Sequence, residues 1–447
     1  MITIKSNLII WLQMGMINIS FFFSQPHLSI HIQELLQHRG NVIEFESIDS
    51  LAALTLQTPV QHRTLSAEVI GYLPYWEYAE YPNLRYDLLT QINYFSAEMS
   101  STGTIENLHN WPNLDMIDYA QSQGVVVKLC ATLFGSTELT TLLGNPIYRQ
   151  NAINNLLDAV LDAGADGVDI DFELLPYSQR ENMVQFITDL TAVFHVAIPN
   201  SIVTMATPAV DWNGSWDYEA LANISDGLFI MAYNYHWSGS ATAGPVAPLD
   251  GFFYDVGWTI DDYLFYSGGN SEKLILGLPY YGYDWPVADN QIYSPTTGTG
   301  TARIYSVASN LAEAYGQSWD EASSTHWISY NSDTWRQCWY DDSLSLSLKY
   351  QAAMEAEFAG VGMWALGYDA GTTELWGAIE DQFSSCAPTG DVNLDDTVNV
   401  LDVIQIVNNI LGNYEFSENQ ICAGDLNGDL SIDLLDIVML INMILGN

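Results

Sequence analysis

The stretch Asp166-Gly167-Val168-Asp169-Ile170-Asp171-Phe172-Glu173 is where the fold is decided. Asp169, Asp171 and Glu173 alternate with the apolar Val168, Ile170 and Phe172. Successive side chains of a strand point to opposite faces, so the three carboxylates share one face. Like charges at that spacing on a buried face do not all ionise freely, so at least one pKa rises and protons are shared along the row. A general acid is prepared near neutral pH in this way. A cation site or an acidic edge strand facing water is the other reading of such a row. The flanks favour the first. Residues 152–163 are apolar at helical spacing through Ile153, Leu156, Leu157, Val160 and Leu161, Gly164 stops the run, and a strand begins. Helix followed by strand is α/β alternation, in which catalytic groups sit at the carboxyl ends of strands. Glu173 stands just before the loop 174–177.

Working outward, further apolar runs of strand type occupy 69–76, 91–98, 124–132, 201–208, 227–234, 273–280 and 360–367, mostly separated by helix-like stretches. With the octet they make eight, and the spacing predicts an α/β fold, a (β/α)8 TIM barrel over 67–384. The excess length falls between strands seven and eight, at about 284–343. It is rich in Gly and Thr around 295–301, as an inserted lobe that walls a groove.

The octet matches the DxxDxDxE signature of glycoside hydrolase family 18, and the resemblance extends along the barrel. Met231-Ala232-Tyr233-Asn234 resembles the family's strand-six MxYD motif, with Asn234 in place of the commoner Asp. Trp364 falls where the family carries the strand-eight Trp that floors the subsite of the distorted sugar. The resemblance implies a catalytic set of Glu173, Asp171, Asp169 and Tyr233. In it Glu173 is the proton donor, Asp171 orients the substrate's N-acetyl group with help from Asp169, and Tyr233 holds the acetamido carbonyl. Trp364, Asn234, Met231 and Tyr72 are the implied substrate contacts, and no cofactor is implied for catalysis. Inactive lectin relatives lack the Glu, so Glu173 favours an enzyme. Asp166 starts the strand and reads as structural.

Past Cys386 the character changes. Residues 385–389 are a short linker, and 390–447 contain a duplicated loop. Asp391, Asn393, Asp395, Thr397, Asn399 and Asp402 set oxygen-bearing side chains at loop positions 1, 3, 5, 7, 9 and 12, the spacing that wraps calcium. Asp425, Asn427, Asp429, Ser431, Asp433 and Asp436 repeat it, and each loop runs into an apolar helix. Position 6 lacks Gly (Asp396, Leu430) and position 12 is Asp, so these are not ordinary EF-hands. The pair resembles the dockerin module, which implies a small all-α domain, two Ca2+ ions and a cohesin-type protein partner.

The 447 residues carry 54 acidic and 11 basic side chains, a net charge of -43, which argues against nucleic acid and anionic membranes as partners. Calcium loops, a saline habitat and simple solubility each account for such acidity. Fourteen Trp and 26 Tyr are an ample supply for stacking sugar rings as well as for a core. Residues 1–25, with Lys5 ahead of an interrupted apolar run, resemble an export signal. The interruptions leave no run long enough for a membrane span. Residues 26–66 show no clear period and read as a pro-segment or loosely ordered leader. Of the four cysteines, Cys130 reads as a core thiol, and Cys386 and Cys422 are able to bridge if the protein is exported, a pairing that spacing alone does not establish. These expectations describe a secreted hydrolase of β-1,4-linked N-acetylglucosamine polymers, chitin first. The alternatives are a peptidoglycan-cleaving N-acetylglucosaminidase and a non-catalytic chitolectin.

Overall fold

A computed structural model describes residues 28–40, 64–385, 389–393, 395, 397–429 and 431–446. Eight parallel strands close into a barrel. They are β1 (Glu68–Pro74), β2 (Gln91–Met99), β3 (Val126–Phe134), β4 (Gly167–Glu173), β5 (Ile202–Pro208), β6 (Gly227–Met231), β7 (Leu274–Pro279) and β8 (Gly360–Trp364). Each pairs in parallel with the next, with one register shift in β2 between Phe95 and Ala97, and β1 pairs with both β2 and β8, so no strand edge of the barrel is left open. Both faces of these strands are covered, which is why they read as continuous apolar runs. The first, sixth and eighth runs stop short of their sequence limits, at Pro74, Met231 and Trp364, because the chain turns there into the loops of the barrel mouth.

The local sequence explains how the octet is delivered. Asn145 caps the helix Pro146–Ala163 by accepting from the Ile147 N–H, and Pro146 fits its first turn. Gly164 ends it in the left-handed region at φ 62°, and the chain drops into β4. A Cβ on Gly167 would stand 2.0 Å from the Ile202 carbonyl oxygen, so only glycine lets β4 enter against β5 at this height.

The segment between β7 and β8 folds as a lobe of five antiparallel strands with the helix Tyr305–Tyr315. Its sheet begins at Tyr281, slightly ahead of the expected boundary, and is centred on Tyr281–Pro286 and Trp335–Tyr340. Asp284, fully buried at its middle, accepts from Arg336, Arg303 and Tyr330 Oη. At the lobe's exit Asp341 is ion-paired with Lys349 of the helix Ser343–Glu355, and both are buried.

The C-terminal module has a small core of its own, built on Val392, Ile406, Phe416, Leu426 and Leu440. Its two main helices, Val400–Ile410 and Leu434–Leu445, each begin with a capping box, Asn399 with Asp402 and Asp433 with Asp436. Cys130 and Cys338 are buried free thiols and Cys422 is disulfide-bonded, whereas Cys386 lies outside the described residues. The expected export signal, 1–25, also lies outside them, as does 41–63. Among the described residues no helix is long and apolar enough to cross a membrane.

Residues 26–66 read as a pro-segment or a loosely ordered leader; the second alternative fails for Ile30–His38, which is an α-helix, α1, seated in the mouth of the barrel. Its apolar pattern is weak because two of its buried side chains, His31 and Glu34, are polar and find their partners on the barrel wall.

Candidate active site

The carboxylate row of β4 opens at the carboxyl end of the barrel. Asp169 and Asp171 are fully buried and Glu173 is 7% exposed. Asp169, the deepest, accepts from Tyr72 Oη at 2.7 Å and from Thr204 Oγ1 at 2.6 Å. Thr204 in turn accepts from the buried Lys128 ammonium at 2.7 Å. Burial lowers the Lys128 pKa to about 8 although Asp169 pulls the other way. Two donors therefore hold Asp169 in place, and the base of the row is anchored on β1, β3 and β5.

Asp171 is pushed well above the carboxylate range, first by burial and then by the charge of Asp169. Glu173 is raised to about 8 by burial and by Asp171, against the pull of His31 and of the hydroxyl of Ser29. A carboxyl held protonated at neutral pH, at the rim of a cleft, is equipped to give a proton to a leaving oxygen. Asp166 faces away from the row and caps β3, accepting from the Val127 N–H at 2.8 Å and from Gln121 at 3.0 Å.

Tyr233 follows the end of β6, and burial beside the three carboxylates keeps its phenol protonated. Asn234 adopts φ 62°, a conformation that Asn tolerates better than most residues, and its Oδ1 accepts from Tyr281 Oη at 2.6 Å. Met231 lines the cleft beside them. Trp364, the last residue of β8, is fully buried, and what covers it is α1. Tyr72, read as a substrate contact, is fully buried like Trp364; it donates its hydroxyl to Asp169 and its ring centroid lies 5.6 Å from that of His31.

Sequence reasoning missed Ser29, His31 and Glu34. The His31 ring stacks on Trp364 with centroids 3.7 Å apart, its Nδ1 lies 2.8 Å from Asp171 Oδ2, and its Nε2 lies 2.7 Å from Tyr233 Oη. Burial lowers its pKa to about 4, so the ring is neutral at physiological pH. A neutral imidazole with its proton on Nδ1 donates to Asp171 and accepts from Tyr233. Ser29 Oγ donates to Glu173 at 2.6 Å, and Glu34 accepts from Trp364 Nε1 at 2.8 Å and from Tyr368 Oη at 2.6 Å. The one signal in the sequence was the helix start itself, in which Ser29 accepts from the Ile32 N–H.

From Ser29 and Glu173 a cleft of about 570 Å³ runs along Met231 and Tyr233 to an aromatic rim. Trp212 and Phe253 on that rim are 69% and 81% exposed.

In the C-terminal module the two loops repeat one hydrogen-bond pattern. Asp402 Oδ1 accepts from the Val392 and Asn393 amides and its Oδ2 from Asn399, and Asp436 does the same with Leu426, Asn427 and Asp433. Asn393 and Asp395, and likewise Asn427 and Asp429, bring their side chains together across the loop. The donor set of each loop is oxygen throughout, as a hard cation such as calcium requires.

Residues 68–369 match the model of glycosyl hydrolases family 18, and residues 389–445 match that of the dockerin type I domain. Among curated relatives, the Bacillus subtilis protein YdhD, named for a sporulation-specific glycosylase, is 30% identical over 246 residues. The match covers 52% of this chain and 54% of that protein, so it spans about half of the relative's length. The di-N-acetylchitobiase of Rattus norvegicus is 27% identical over 303 residues, covering 59% of this chain and 79% of that protein. Among solved structures, the family 18 chitinase of Cycas revoluta in complex with (GlcNAc)4 superposes with a TM-score of 0.63 at 22% identity. That match takes in 71% of this chain and 99% of that one, and it shows the fold.

Proposed function

Since the chain belongs to glycosyl hydrolase family 18 and carries a type I dockerin domain, we propose that it is a secreted enzyme that hydrolyses β-1,4-linked N-acetylglucosamine polymers, chitin foremost, with retention of configuration. The observation that carries the reading is the convergence of Asp171 Oδ2 and Tyr233 Oη on one small planar group above Trp364. An acetamido group offers the same pair as His31 does, one N–H to donate and one acceptor to receive a phenol proton.

In the mechanism, Glu173 protonates the glycosidic oxygen as the C–O bond breaks, and the acetamido oxygen of the same sugar attacks the anomeric carbon. Asp171 takes the acetamido N–H and stabilises the positive oxazolinium-like intermediate, while Tyr233 steadies the oxygen. Glu173, now a carboxylate, then takes a proton from water as that water opens the ring from the face the leaving group vacated. Two inversions give net retention, in keeping with a family that uses the substrate's own N-acetyl group as nucleophile.

The test is proton NMR on N-acetylglucosamine oligomers with the full chain carrying His31→Asp, which takes the His31 ring off Trp364. The β-anomer is expected first, with negligible cleavage of glucosamine oligomers. An initial α-anomer, or equal rates on the two, overturns the mechanism. A second reading, peptidoglycan as substrate, is favoured by the similarity to YdhD and to the Bacillus subtilis cortical fragment-lytic enzyme, which is 24% identical over 314 residues. Release of N-acetylglucosamine ends from purified cell wall, faster than from chitin oligomers, would select it.

Secretion is supported by the bonded state of Cys422, since disulfides persist in oxidising compartments, and by the export-like residues 1–25. In the C-terminal module the two oxygen-lined loops would each hold one Ca2+, through Asp391, Asn393, Asp395, Thr397, Asn399 and Asp402 and through the equivalent set from Asp425 to Asp436. A cohesin-type protein is the partner that a dockerin domain would dock on.

A further inference from the structure

The substrate subsite read above is already full. α1 belongs to none of the elements that close the barrel: the strand ring is completed by β1 pairing with β2 and β8, and the last helix, Glu374–Phe383, leads into a short pairing of Thr64–Leu65 with Ser384–Ser385. Yet Ser29 is bonded to the candidate acid, His31 to both groups that read the acetamide, and Glu34 to the indole N–H of the floor. At the far end, His38 stacks on Trp76 with centroids 4.5 Å apart and planes 8° from parallel, and Arg39 is ion-paired with Glu98.

These contacts are specific. Burying an imidazole and a carboxyl is unfavourable unless each finds partners. Here every polar atom used on the barrel side belongs to the groups that the functional reading assigns to substrate, or flanks them. His31 stacks on Trp364 with its plane 27° from the indole, and with its proton on Nδ1 it offers Asp171 and Tyr233 the same donor and acceptor as an acetamide. The cleft is open from Glu173 toward Trp212 and Phe253 and closed from Glu173 across Trp364. A sugar reaches Trp364 only where His31 now lies.

We propose that residues 28–39 are a built-in inhibitor that mimics the N-acetyl sugar over Trp364, and that the hydrolase is latent until this segment is displaced. The proposal rests on the reading of Asp171, Tyr233 and Trp364 as the acetamido-sugar site. It adds that the chain itself supplies the competing ligand, and that cleavage begins only when α1 has left.

The test uses the full chain and its His31→Asp variant, which sets a third carboxylate against Asp171 and Glu173 and expels the helix without touching the barrel. Two readouts need no activity: amide hydrogen exchange of the peptide 28–40, and hydroxyl-radical oxidation of Trp364. In the unmodified chain the peptide is expected to exchange slowly and Trp364 to be protected, and in the variant both are lost. Initial rates on tri- and tetra-N-acetylglucosamine oligomers are expected to rise at least tenfold in the variant. Fast exchange in the unmodified chain, or equal rates in the two chains despite released exchange in the variant, overturns the proposal. Cleavage by neither chain, with exchange and oxidation as expected, leaves the occlusion standing and brings down the substrate reading instead.

Discussion

With α1 in place, burial and then Asp171 raise the Glu173 pKa to about 8. Once α1 leaves, part of that burial is relieved until substrate restores it, so the alkaline limb of kcat on an N-acetylglucosamine oligomer, measured on the His31→Asp variant, is expected at or below about pH 8. Asp171 is the second cause of the elevation, after burial. Asp171→Asn, made in the His31→Asp background, should lower kcat by roughly a hundredfold, since the acetamido group loses the carboxyl that aligns it, measured against His31→Asp alone. Glu173→Gln should lower kcat by on the order of a thousandfold or more with oligomer affinity retained, since only proton transfer is removed. The row was legible in the sequence because a strand's period of two puts Asp169, Asp171 and Glu173 on one face whatever surrounds them. Tyr72 was legible as a residue of β1, but its bond to Asp169 was not, because which acceptor a buried phenol finds depends on a strand 97 positions away.

At the scale of elements, the barrel strands could be read because burial on both faces leaves unbroken apolar runs. The lobe's strands could not, since an antiparallel sheet that buries Asp284 under two arginines has no simple pattern. α1 was missed for a related reason: what fixes it is polar pairing with residues 140 and more positions distant. The pair of Lys349 and Asp341 ties the lobe's exit to a barrel helix. Lys349→Met leaves the Asp341 carboxylate buried without its cation, and the expected loss is about 3–5 kcal/mol in urea unfolding. The double variant with Asp341→Leu should recover most of it. In the C-terminal module clustered carboxylates sit over a core of few residues. Chelator treatment of the full chain should remove the circular-dichroism signal of Val400–Ile410 and Leu434–Leu445 and spare the barrel.

Over the whole molecule, a net charge of -43 works against compactness through self-repulsion, so added salt at constant calcium is expected to raise the melting temperature. Superimposed on this is a pH trend from Glu34 and Glu173, raised to about 7 and about 8. The folded state holds two protons that the unfolded chain gives up near 4.5, so their stabilisation is complete at acid pH and lost as pH rises to about 8. His31, lowered to about 4, works in the opposite sense only below 6.5. Between pH 6.5 and 8 the melting temperature should thus decline, as calorimetry at fixed salt can follow.

The helix over Trp364 also has a thermodynamic identity apart from inhibition: it is a ligand that travels with its receptor. Anything that binds the native barrel and not the unfolded chain raises the melting temperature by mass action. Expelling α1 gives that contribution up, so the ready form of the enzyme should be the more heat-labile one, with His31→Asp melting below the parent. Saturating oligosaccharide should then raise the variant's melting temperature by more than the parent's, because in the parent the place is already taken. Substrate would protect this hydrolase from heat only after it has become able to cleave it.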